Sequence, residues 1–306
     1  MSTIYTYRDA NIHKTWALFS VFLIVVIGLG WVFSQIYGNA SILFFAVIFS
    51  SIMSIISYWY SDKIVLMMTR AKEIQKKDAP ELYNIVENLT IAAGLPMPKI
   101  YLVADRSPNA FATGRDPKHA VVAVTSGILE ILDRTELEGV LAHELSHIGN
   151  RDMLLNTAAV ILAGFISLLA DFFMRSMWWG NFRSRDDNKA GSALILIGIA
   201  LSILAPIAAT LMRLAISRKR EFLADASGAL LTRYPEGLAL ALEKISKAPM
   251  PVTGAAPTMA HLWIADPLRR SSSEASPFKK KHGITKLFMT HPPMEERVKA
   301  LRNMSL

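Results

Sequence analysis

The sequence predicts an α+β membrane protein: about four transmembrane helices carrying a domain with a small sheet and one metal-binding helix. Three observations lead there. The 306-residue chain is 52% hydrophobic with a mean hydropathy of +0.32, above the usual soluble range, and its apolar residues fall in blocks. Two polar segments, one between blocks and one after them, carry helical and strand-like patterns of their own. Inside the first of these stands His143-Glu144-Leu145-Ser146-His147, two imidazoles four residues apart with a carboxylate between them.

The first apolar block, about Thr15 to Phe33, and the second, Ala40 to Tyr60, are nearly free of charge. At about 1.5 Å per helical residue, either can cross a bilayer core. The third, Met153 to Met174, contains Asn156 and Asp171, and the fourth, Ala190 to Ile216, contains Pro206 and Arg213. Polar groups at such depth are expected to be shielded by protein. The first block reads as an uncleaved span, because it is too long for a signal-peptide core and the loop after it offers no clear small-x-small cleavage site.

Arg8 and Lys14 precede the first span, and Lys63, Arg70, Lys72, Lys76 and Lys77 follow the second, whereas Ser34 to Asn39 holds no Lys or Arg. The positive-inside rule then places the N-terminus and the region after Tyr60 in the cytoplasm. The connection between the third and fourth spans departs from the rule with Arg175, Arg183, Arg185 and Lys189. Basic residues beside spans meet anionic lipid headgroups, which accounts for the formal charge of +8. They are scattered and not interleaved with aromatics, so no nucleic-acid partner is expected. The chain lacks cysteine and hence disulfides.

The spans divide the chain into an N-terminal hairpin (1–61), a first catalytic half (62–152), a second hydrophobic hairpin (153–217) and a second catalytic half (218–306). In the first half, Pro80 starts a helix through about Ala93 with Leu82, Ile85, Val86, Leu89 and Ile91 on its apolar face, ended by Gly94 and Pro96. Strand-like runs follow at Lys99 to Ala104 and His119 to Thr125, separated by a loop from Asp105 to Lys118. The second run alternates poorly, as a strand buried on both faces does. A short helix around Gly127 to Leu132 leads to the histidine helix, for which Thr135 is the expected N-cap. In the second half, Arg218 to Leu231, Pro235 to Lys247 and Pro292 to Asn303 read as helices, with loop-like Ala248 to Thr258 and Ser271 to Lys281 between them.

On a helix His143 and His147 share one face and can bind one metal ion, with Glu144 about 100° around, placed to take a proton from water at the metal. Catalytic zinc takes three protein ligands and a water, so a third ligand is required. Candidates are His119, His261, His282, His291 or a carboxylate. Glu221 is the best placed, because Glu221-x-x-x-Asp225 repeats the four-residue helical spacing and brings Asp225 toward a ligand histidine's N–H.

The His143 to His147 helix, Glu221 with Asp225, and the C-terminal Thr290-His291-Pro292-Pro293-Met294-Glu295-Glu296-Arg297 resemble the HtpX type of membrane zinc metalloprotease, along nearly the whole chain. Asn109 to Gly114 resembles that family's loop leading into its substrate-facing strand. The resemblance implies a zincin-like cytoplasmic domain and one Zn2+ per chain, with Glu221 as third ligand and Asp225 behind it. It also implies a multi-pass stress-response endopeptidase of the cell inner membrane, acting on misfolded or damaged membrane proteins or on unfolded polypeptides. His147 precedes the third span and Glu221 follows the fourth, so this pair must form a hairpin that crosses and returns or dips in without crossing.

Glu144 is the expected general base, His291 the oxyanion donor with Arg297 as runner-up, and Asn109 a holder of substrate backbone. A CAAX-prenyl-type endopeptidase is the rival enzyme, with the same metal motifs but more spans. A non-enzymatic metal-binding scaffold or transporter would line its spans with ligands, which this chain does not, and would have no use for Glu144.

Overall fold

Long apolar runs favour helices, because a backbone removed from water must satisfy its own hydrogen bonds. The computed structural model, which describes residues 4–179, 217–248, 252, 262–265 and 292–304, opens with two of them, α1 (Ile4–Tyr37) and α2 (Ser41–Trp59). Asp9–Gln35 within α1 and the whole of α2 are long and apolar enough to cross a membrane. The two pack side by side, and a side chain at Gly30 would collide with Ala46. α1 starts well before the predicted Thr15, with Asn11 already buried.

A short α3 (Ser61–Thr69) follows. α7 (Asp152–Trp179) covers the predicted third span. Its first half packs Leu155, Ala158, Ala159, Leu162 and Ile166 against Leu18, Phe22 and Val26 of α1, so protein does shield this part. The predicted fourth span, Ala190 to Ile216, lies outside the described residues.

The polar part is a four-stranded sheet with helices on it. α4 (Pro80–Ala93) has Pro80 in its first turn and ends at Gly94 with φ +63°. Leu82, Ile85, Val86 and Leu89 face the core, whereas Ile91 is exposed, because two residues past Leu89 lies about 200° around the helix. The strand order is β1 (Lys72–Glu73), β2 (Lys99–Val103), β4 (Val121–Thr125), β3 (Ala110–Thr113). β2 and β4 run parallel, β3 antiparallel to β4 at the edge. β4 is buried along its whole length, as its poor alternation implied. β3 corrects the sequence reading, which placed Asp105 to Lys118 in a loop: all four of its residues are buried, so it carries no period-two pattern.

After α5 (Ser126–Ile131) comes the central helix α6 (Arg134–Gly149). Its N-cap is Asp133, not Thr135. The Asp133 carboxylate accepts from the Glu136 N–H at 3.0 Å and the Glu136 carboxylate accepts from the Asp133 N–H at 2.9 Å. Such a capping box stabilises a helix by about 1 kcal/mol, and Lys244 ties Glu136 down at 2.6 Å. α8 (Arg218–Thr232) and α9 (Pro235–Lys247) pack on α6, and α10 (Met294–Arg302) packs on both of them. Leu137, Leu141, Leu145 and Ile148 share a core with Leu238, Leu242, Val298 and Leu301.

Candidate metal centre

Four-residue spacing on α6 sets the two imidazoles one turn apart, with their Nε2 atoms 3.2 Å from each other. Each ring is fixed from behind. His143 Nδ1 lies 2.9 Å from Asp225 Oδ1, and His147 Nδ1 lies 3.1 Å from Asp152 Oδ2. A carboxylate accepts, so each Nδ1 carries a proton and each Nε2 is turned toward the other. Two ring nitrogens so close are joined either by a proton that one donates to the other or by a metal cation between them.

Glu221 closes the group. Its Oε2 is 3.9 Å from His143 Nε2 and its Oε1 is 3.7 Å from His147 Nε2, and one donor atom from each residue falls within 4.8 Å of the others. Tetrahedral zinc with bonds of about 2.0–2.1 Å holds its ligands roughly 3.4 Å apart. Two imidazoles and a carboxylate at 3.2–3.9 Å therefore fit such an ion. All three side chains are buried. Burial works against charge on His147, but Asp152 and Glu221 outweigh it and raise its pKa to about 9. An environment that favours positive charge at this ring favours a metal cation as well, and ion and proton compete for the same nitrogen.

Behind His143 lies a fully buried ion pair. Arg297 on α10 donates to Asp225 through Nε at 2.8 Å and Nη2 at 2.6 Å, a two-pronged contact, and through Nη1 to the Ile264 carbonyl at 3.2 Å. Burial opposes the Asp225 charge, yet Arg297 brings its pKa down to about 2. The guanidinium also reaches the ligands, with Nη1 3.8 Å from Glu221 Oε2 and Nη2 3.4 Å from His143 Nδ1. Glu144, also buried, lines the same pocket as His143, His147, Glu221, Ala112 and Trp263. Burial pushes its carboxyl well above the usual range.

Asn109 lies at the head of β3. Its side-chain amide donates to the Ala265 carbonyl at 3.0 Å and accepts from the Ala265 N–H at 3.2 Å. The Ile264 N–H adds a bond to the Ala110 carbonyl at 2.9 Å, so residues 262–265 lie along the β3 edge. His119 is away from the centre, paired with Asp116. His261, His282 and His291 lie outside the described residues.

Two contributors escaped the sequence reading. Asp152 reaches His147 because the chain reverses at Arg151 with φ +56°, and no periodicity announces that turn. Gly228 lets α8 touch α6 where the first histidine stands. A Cβ there would lie 2.9 Å from the His143 backbone nitrogen and 3.1 Å from the Ala142 carbonyl carbon. Gly228→Val should force the helices apart, costing about 1–3 kcal/mol of stability and weakening zinc binding. Wild-type melting and zinc affinity in that variant would contradict this account of the crossing.

The family described as Peptidase family M48 matches residues 76–305. A "Protease HtpX homolog" of Caldanaerobacter subterraneus subsp. tengcongensis is 44% identical over 309 residues, covering 99% of both chains. Another, of Thermococcus sibiricus, is 46% identical over 292 residues, covering 95% of this chain and 96% of its own. Among solved structures, S. mikatae Ste24p superposes with a TM-score of 0.52 at 18% identity, over 94% of this chain and 66% of its own, a likeness of fold.

Proposed function

The chain belongs to peptidase family M48, and on that premise we propose that it is a zinc-dependent membrane endopeptidase with its ion held by His143, His147 and Glu221 and with Glu144 as general base. The observation that carries this reading is the pair of Nε2 atoms 3.2 Å apart, each ring committed at Nδ1 to a carboxylate and the set closed by Glu221. Zinc, when bound, supplies a Lewis acid that polarises the scissile carbonyl and acidifies the adjacent water.

Glu144 takes the proton of the attacking water and hands it to the leaving amine. His291 donates to the tetrahedral oxyanion. Arg297, the runner-up for that role, holds Asp225 and through it the His143 ring. The substrate lies extended beside the Ala112 end of β3, past the stretch that Ile264 and Ala265 occupy. Backbone groups alternate sides along a strand, and Ala110 directs its carbonyl off the sheet to Ile264, so Ala112 directs its own the same way, beside the pocket. Asn109 serves this edge by fixing Ala265.

The first catalytic half, 62–152, and the second, 218–306, meet where α8 packs on α6, with α1 and α2 as the N-terminal anchor. The basic residues flanking the first two spans favour a cytoplasmic site in the cell inner membrane. Misfolded membrane proteins are the substrates such an anchored site would meet.

The test is casein and unfolded membrane-protein cleavage by the detergent-purified full chain, before and after chelation. Hydrolysis should stop with chelator and return with about one zinc per chain. Undiminished hydrolysis in chelator would overturn the reading. Cleavage restricted to prenylated peptides would replace it with a CAAX-prenyl-type endopeptidase.

A further inference from the structure

The N-terminal helix is more than an anchor. Asn11, on the membrane helix α1 and 3% exposed, directs its side-chain amide to the far side of the metal centre. Nδ2 donates to the Asn150 carbonyl at 3.2 Å, at the C-terminal end of α6, and to Asp152 Oδ1 at 2.5 Å. The other oxygen of the same carboxylate, Oδ2, accepts from His147 Nδ1 at 3.1 Å. One amide therefore secures both the turn that presents Asp152 and the carboxylate that orients His147. Arg220, one residue before Glu221, lies 3.7 Å from Asp152 Oδ1 and donates to Asn156 at 3.1 Å. Apolar contacts along α1 and α7 hold the helices at this spacing.

We propose that Asn11 is a positioning residue for the metal centre, acting through Asp152 on His147, so that the membrane anchor forms part of the site it carries. This rests on the zinc reading above. A buried amide spanning 141 positions of sequence to meet a carboxylate behind a ligand histidine is the kind of outer support whose loss typically weakens metal affinity about 10–100-fold.

The experiment is a zinc chloride titration of the metal-stripped full chain in detergent, in competition with a chromophoric chelator. Wild type, Asn11→Ala, Asp152→Ala and the double variant are compared. Asn11→Ala should lose about tenfold in zinc affinity and shift the visible spectrum of the cobalt-loaded protein, while adding nothing in the Asp152→Ala background. Thr15→Val serves as control, since Thr15 is similarly buried on α1 but its hydroxyl donates to the Asn11 backbone carbonyl and, among the described residues, does not meet Asp152; it should retain wild-type affinity. Wild-type affinity in Asn11→Ala would overturn the proposal. So would losses that multiply in the double variant, or an equal loss in Thr15→Val. If wild type itself takes up no zinc, the metal-site reading fails instead, and the two failures are thereby told apart.

Discussion

Glu144→Gln should abolish peptide hydrolysis while leaving the zinc in place. The substitution keeps the shape of a buried side chain that lines the pocket beside His143, His147 and Glu221. It removes the ability to accept a proton from water, and a positioned acid–base group typically contributes about 10²–10⁴-fold in rate. Burial raises the Glu144 carboxyl above its ordinary value. The amide has no such capacity at any pH, so raising the pH should not restore the lost rate. Hydrolysis of casein by purified Glu144→Gln, with zinc measured on the same sample, checks this. Undiminished proteolysis would remove Glu144 from the mechanism.

Arg297→Met should cost about 3–5 kcal/mol of stability, because it strands the Asp225 carboxylate in a dry interior. Arg297 is fully buried and makes two contacts to Asp225. Asp225 in turn holds His143 Nδ1, so zinc affinity should fall about 10–100-fold as that ring loses its orientation. The same guanidinium also ties down the Ile264 carbonyl, and hence the segment lying on the β3 edge. Pairing the change with Asp225→Asn removes the stranded charge and should recover part of the stability but not the zinc affinity. Melting in detergent and zinc competition measure the two effects separately. A single variant that melts like wild type would contradict the buried-pair account.

Much of this was legible in the sequence because the signals were local. Pro80 and Gly94 bracket α4, Pro235 opens α9, and the four-residue spacings of His143 with His147 and Glu221 with Asp225 put each pair on one helical face. The structure sets Asp225 against His143, a meeting of two helices that the spacing within each does not dictate. The strand β3 was not legible, since four residues buried on both faces show no alternation. Asp133 was passed over as N-cap because Thr135 also suits that position; the reciprocal bonds with Glu136 decide it. Asn11, Asp152 and Gly228 act through tertiary contacts: an amide from a membrane helix, a carboxylate beyond a left-handed turn, and a missing Cβ at a helix crossing. Nothing in their own neighbourhood marks them.

The most direct test of the three-ligand site is the metal content of Glu221→Ala beside wild type, both purified without added metal and assayed by elemental analysis. The geometry of His143, His147 and Glu221 predicts about one zinc per chain in wild type and little or none in the variant, because two imidazoles alone do not complete a catalytic set. A full complement of zinc in Glu221→Ala would contradict it and turn attention to His291 as third ligand.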